Sequence, residues 1–209
     1  VPIRERSYEL LGDEKPSTRS AAAGCSPRKS VPGGLALRAP PAAHRLLVSQ
    51  RRTATLLVEN HTTAHTLARW LHPTGQVGTI IYSAGSQLPQ ILASLPEAHT
   101  GPLYYFGDVY LRGVEIAADG DLRTDELGLG PLCPAAGPYR LLLDIGTPMP
   151  AKSRLRSPSG PHVYAWLPDD TRHQTENIIA AEQRIPQEAV RTDILHEPHA
   201  ATFDPLGAG

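Results

Sequence analysis

Short apolar runs rich in Val, Ile, Leu or Tyr recur along the chain, and their lengths predict strands near 54–59, 78–83, 102–107 and 139–143. Between them the apolar positions fall at helical spacing, over Thr62 to Leu71, Ser86 to Leu95, and Leu111 to about Ala118. Strands alternating with helices imply an α/β domain with about four parallel strands and right-handed crossovers. That domain is expected over 44–145. Residues 1–15 read as an ordered segment, with Ser7-Tyr8-Glu9-Leu10-Leu11 as a strand or helical turn. Residues 16–43 shift to Ser, Pro, Gly, Ala and Arg and read as a linker or loose loop. The stretch 146–209 reads as a surface loop and a helical tail. A helix is expected there from Asp170 to about Arg184, burying Ile178, Ile179 and Ala181, with a further turn at Pro186-Gln187-Glu188-Ala189-Val190.

Composition narrows the classes. Lys and Arg number 20 against 21 Asp and Glu, so nucleic-acid binding would need a local patch or a partner subunit rather than a basic field. Cys25 and Cys133 stand far apart and outside any C-x-x-C pair, which argues for a reducing cytoplasm and against a cysteine-ligated zinc. No apolar run reaches about 18 residues, so a soluble protein without membrane contact is expected. The chain starts at Val1, which suggests the carboxyl-terminal part of a longer polypeptide.

Two of the predicted strands end in an acid. Leu56-Leu57-Val58 leads into Glu59, and Tyr104-Tyr105-Phe106-Gly107 leads into Asp108. Carboxylates at the carboxyl ends of parallel strands suit a hard cation, which takes one or two carboxylates and keeps waters that a phosphate oxygen can displace. The competing reading is that both acids cap the helices that follow. Spacing alone favours that plainer reading.

The sequence Leu57-Val58-Glu59-Asn60, followed about fifty residues later by Tyr105-Phe106-Gly107-Asp108-Val109-Tyr110-Leu111-Arg112-Gly113-Val114-Glu115-Ile116-Ala117, resembles the paired acidic signature of a Toprim fold. Within that superfamily it is most similar to the JetD subunit of the Wadjet anti-plasmid defence system, and more distantly to the A subunit of topoisomerase VI. Arg6 to Lys15 resembles the segment before the Toprim domain in JetD-like proteins, and Ala181 to Ala189 resembles their closing helix pair. The resemblance implies a Toprim-like α/β fold and a nuclease acting on closed circular plasmid DNA beside an SMC-type ATPase complex. Glu59 and Asp108 would hold Mg²⁺ or Mn²⁺; whether the chain forms a homodimer stays open.

The family pattern Gly-Asp-x-Asp is broken here, because Tyr110 stands in the place of the second acid. Loss of a ligand should lower metal affinity by at least the 10- to 100-fold typical of outer-shell changes. Asp144, after Leu141-Leu142-Leu143, is the first candidate to replace it, and Glu115 the second. The alternative is a catalytically impaired copy that keeps the fold and its DNA-binding or assembly surface. Tyr110 as a nucleophile is disfavoured, because a phenol needs an activating base or metal.

Other clusters read more plainly. His61 and His65 share a helix face but lack a third ligand, so a solvated face is expected. Asp119, Asp121, Asp125 and Glu126 read as a surface loop without the spacing of a calcium loop. Lys152, Arg154 and Arg156 form a basic stretch that could reach DNA phosphates or simply solubilise a loop. Arg51 and Arg52 lie at the end of their strand away from Glu59.

Overall fold

In the computed structural model the described residues are 45–47, 54–95, 101–151, 157–196 and 206. The basic stretch Lys152, Arg154 and Arg156, the pair Arg51 and Arg52, Cys25, and both segments before residue 44 lie outside them.

Five strands form the main sheet: β1 (Arg45–Leu47), β2 (Thr55–Val58), β3 (Thr79–Tyr82), β4 (Leu103–Phe106) and β5 (Leu132–Pro134), in the order β1-β3-β2-β4-β5. All neighbours pair in parallel except β1, which runs antiparallel to β3 along one edge. The mostly parallel sheet flanked by helices is consistent with the Toprim-like α/β class expected from the sequence. β2 lies at the centre and is buried along its whole length, as a parallel strand covered on both faces must be.

The chain leaves β2 for β3 on one side and then crosses to β4 on the other side of β2. This reversal opens a crevice at the carboxyl ends of β2 and β4, the place where open α/β sheets bind ligands.

Helix α1 (His61–Leu71) buries Ala64, Leu67 and Leu71 against the sheet, and each large apolar side chain removed from water contributes about 1.5–3 kcal/mol. After β3 comes α2 (Leu88–Ala93), and after β4 the long α3 (Leu111–Leu127). Predicted to stop near Ala118, α3 runs nine residues further. Gly120 does not break it: a Cβ there would lie 2.7 Å from Leu88 Cδ2 and 3.1 Å from Leu132 Cδ2, so the glycine lets α3 press onto α2 and β5. The acidic cluster expected in a loop is therefore on a helix. Asp121 accepts a hydrogen bond from the Leu132 backbone N–H at 2.8 Å, and Asp119 faces His162 at 3.3 Å.

The strand expected at 139–143 is instead the core of helix α4 (Ala136–Ile145). A short apolar run fits a buried helix as well as a buried strand. Tyr139, Leu141, Leu142 and Leu143 are buried while Asp144 is exposed. The fourth parallel strand is β5, only three residues long and ending in Pro134, which suits an edge.

Beyond α4, β6 (Met149–Pro150) pairs with β7 (Gln183–Arg184), and between them lie α5 (His162–Ala165) and α6 (Asp169–Ala180). Helix α6 stops at Ala180 rather than near Arg184 because Glu182 takes a left-handed φ of 55° and turns the chain into β7. A 3₁₀ turn at Gln187–Ala189 and α7 (Thr192–Leu195) follow. The segment likened to a closing helix pair is thus a strand and a turn, and it packs as a strap beside the sheet's crevice.

Candidate functional site

Glu59 directly follows β2, and Asp108 follows β4 after one glycine. Val58 and Phe106 are register partners, and the Glu59 N–H donates to the Phe106 carbonyl at 3.0 Å, so the two acids emerge side by side. Glu59 Oε2 accepts from the Asp108 backbone N–H at 3.3 Å and from the Tyr105 hydroxyl at 3.4 Å. The carboxylate sits in a slot between two glycines. A Cβ at Gly107 would come within 2.7 Å of Glu59 Oε2, and one at Gly85 within 2.9 Å of Oε1. Gly85 and Ala84 before it both take positive φ, 54° and 48°, and for Ala84 that conformation is strained.

Asp108 is more enclosed, with 12% of its side chain exposed. Its Oδ1 accepts from the Gln187 backbone N–H at 2.8 Å, and Oδ2 faces Arg184 Nη1 at 3.5 Å. Both donors come from the strap. Two backbone hydrogen bonds of 2.9 Å between Val109 and Ile185 fix its height, and Gly146 makes room for it, since a Cβ there would lie 2.2 Å from Ile185 Cγ2.

The capping alternative is answered for Glu59 by its neighbour. Asn60 is the N-cap of α1, its Oδ1 accepting from Thr62 and Thr63 at 2.7 and 3.3 Å, while its Nδ2 donates to the buried Glu188. Asp108 spends its Oδ1 on the strap.

Three phenols surround the acids. Burial first, and then the charge of Glu59, raises Tyr105 and Tyr110 well above the ordinary phenol range. Burial also raises Tyr139, although the Gly107 N–H that donates to its oxygen at 3.1 Å opposes the shift. All three are neutral near pH 7. That state suits Tyr105 and Tyr139 as fixed hydrogen-bonding groups and makes Tyr110 a poor nucleophile.

The other candidates lie elsewhere. Asp144 is exposed near the end of α4, in a shallow depression with Arg140, Asp170 and Gln174. Glu115 pairs with Arg112 at 3.4 Å and accepts from the Ser159 N–H at 3.1 Å. His61 and His65 are half-buried and stack edge to face at 4.6 Å, rather than forming the solvated face expected. Among the described residues no group of three or more His, Cys, Asp or Glu could hold a metal ion. The donor set that remains is two carboxylates, Glu59 between the two glycines and Asp108 against the strap. Two carboxylates are a donor set that a hard, oxygen-preferring ion could use while keeping most of its waters, and among the described residues no third acid joins them in place of Tyr110. Sequence reasoning missed Arg184, Gln187 and the roles of Tyr105 and Tyr139. The one available signal was Gln183-Arg184-Ile185 before Pro186, an alternating run just after a helix.

Residues 26–128, just under half of the chain, match the family model described as Wadjet protein JetD, C-terminal. The matched segment contains both acids and ends one residue beyond α3; the strap lies outside it. No curated protein and no solved structure matches the chain.

Proposed function

We propose, from the match of residues 26–128 to the JetD carboxyl-terminal family, that this JetD-like chain acts in Wadjet defence as a metal-dependent DNA endonuclease subunit, cleaving plasmid DNA alongside SMC-type ATPase subunits. The observation that carries the reading is the hydrogen bond from the Asp108 backbone to the Glu59 carboxylate, which joins two acids from adjacent parallel strands at the switch point of the sheet.

In this reading Glu59 and Asp108 hold Mg²⁺ or Mn²⁺. When bound, such an ion neutralises charge on a phosphodiester and makes hydroxide available near neutral pH. The chain's own contribution is orientation. Tyr105 and the Asp108 N–H aim Glu59, the Gln187 N–H aims Asp108, and Gly85 and Gly107, having no Cβ, leave the space that the Glu59 carboxylate occupies.

A second reading has a specific basis in Tyr110 and the absence of a third acid among the described residues: an impaired copy that retains the fold for DNA binding or assembly. Nicking and linearisation of supercoiled plasmid in Mg²⁺ or Mn²⁺ separates the two. The nuclease reading expects cleavage by the unaltered chain and none by Glu59→Ala. Cleavage by Tyr110→Asp alone would establish the impaired copy. Manganese should also raise the melting temperature of the unaltered chain, in proportion to the logarithm of its concentration over the dissociation constant.

A further inference from the structure

The guanidinium beside the acid pair is placed as no structural clamp requires. The strap is already tied down by the two Val109–Ile185 hydrogen bonds, the Gln187 N–H on Asp108, and the contact between Asn60 and Glu188. Arg184 adds one contact to Asp108 at 3.5 Å, at the outer limit of a hydrogen bond and without the paired geometry of a committed arginine–carboxylate bridge. Only 12% of its side chain is exposed, and its Nε is buried without a hydrogen-bond partner. A buried donor is normally satisfied. With Nε enclosed, it is the terminal nitrogens, of which Nη1 is only loosely held by Asp108, that have donors left for the oxygens of a phosphate.

We infer that Arg184 is a phosphate-contacting residue of this site, donating to non-bridging oxygens of the phosphodiester lying at Glu59 and Asp108. This rests on the nuclease reading above. The Tyr110 ring lies near Glu59, Asp108 and Arg184 and covers the first turn of α3, within 2.8 Å of a Cβ built on Gly113. With a tyrosine replacing an acid, the pocket carries one negative charge fewer to repel the backbone of DNA. Arg184 makes the balance still more favourable to an anion.

The test uses a short fluorescent duplex and Ca²⁺, with anisotropy reporting duplex binding, calorimetry reporting Ca²⁺ binding and thermal melting reporting the fold. Arg184→Gln should weaken duplex binding in Ca²⁺ about tenfold, the effect of one lost charge-assisted contact. It should leave Ca²⁺ affinity unchanged or tighter, since a competing cation has left Asp108. Arg184→Lys should recover part of the duplex affinity. Duplex binding by Arg184→Gln equal to that of the unaltered chain would overturn the inference, as would joint loss of Ca²⁺ binding, duplex binding and melting temperature, which marks a structural clamp. If the unaltered chain nicks plasmid and Arg184→Gln nicks it equally, the inference falls and the nuclease reading stands. If the unaltered chain binds neither Ca²⁺ nor duplex, the nuclease reading falls and takes the inference with it.

Discussion

Glu59 and Asp108 lie side by side but are held by different parts of the chain. Glu59 is fixed from within the sheet by Tyr105, by the Asp108 backbone and by the glycines at 85 and 107. Asp108 is fixed from outside, by the Gln187 backbone N–H, which arrives 79 residues later with the Arg184 guanidinium standing beside it. The first arrangement is built into regular strands and persists as long as the sheet does. The second depends on the docking of a strap of irregular chain. One acid therefore belongs to the core of the fold, and the other to an interface within it.

The difference can be broken from either side. The largest effect is expected from Gly146→Ala, whose Cβ would meet Ile185 Cγ2 at 2.2 Å and the Leu142 carbonyl oxygen at 2.4 Å. Overpacking of this kind costs about 1–3 kcal/mol. The strap should lift, and hydrogen exchange should show lost protection at Val109 and Ile185 while β2 and β3 stay protected. Gly107→Ala should cost somewhat less in stability, because the atoms it meets, Glu59 Oε2 at 2.7 Å and the Tyr105 ring at 2.9 Å, belong to side chains. Its damage falls on the Glu59 half of the site. A Mn²⁺-induced rise in melting temperature should vanish in this variant while the Val109 and Ile185 amides remain protected.

The smallest expected effect is one of pH. Tyr105, Tyr110 and Tyr139 titrate higher in the folded chain than the ordinary phenol value of about 10. Above that value the unfolded chain releases these protons and the folded chain keeps them. Their contribution is thus complete below about pH 10 and is lost as pH rises further. Denaturant melts should show stability falling above pH 10, with a shallower decline in Tyr110→Phe.

Legibility follows the same division. The strands carrying the acids were readable because each is a short apolar run bounded by a turn, and the acid stands at its end. The run Leu141-Leu142-Leu143 misled because three consecutive apolar residues have no period of their own; what separates helix from strand is the polar pair Arg140 and Asp144, four positions apart on the outer face. Gly120 misled for a different reason, since its role is to admit Leu88, a neighbour that lies 32 positions away in the chain. The strap was unreadable in detail. Beyond the brief alternation of Gln183-Arg184-Ile185, its left-handed Glu182 and its 3₁₀ turn leave no periodic trace, and what it contributes to Asp108 is chiefly a backbone N–H, which every residue but proline carries.

Asn60 joins the two halves through one short side chain. Its carbonyl oxygen starts α1 and its amide nitrogen reaches Glu188 on the strap, so the beginning of that helix and the anchorage of the chain's later segment share a latch beside Glu59. The first turn of α1 and the 3₁₀ turn are consequently one cooperative unit for local opening. A force that peels the carboxyl-terminal segment away, such as a neighbouring subunit gripping it, would be felt at the residue next to Glu59 before any strand of the sheet had moved.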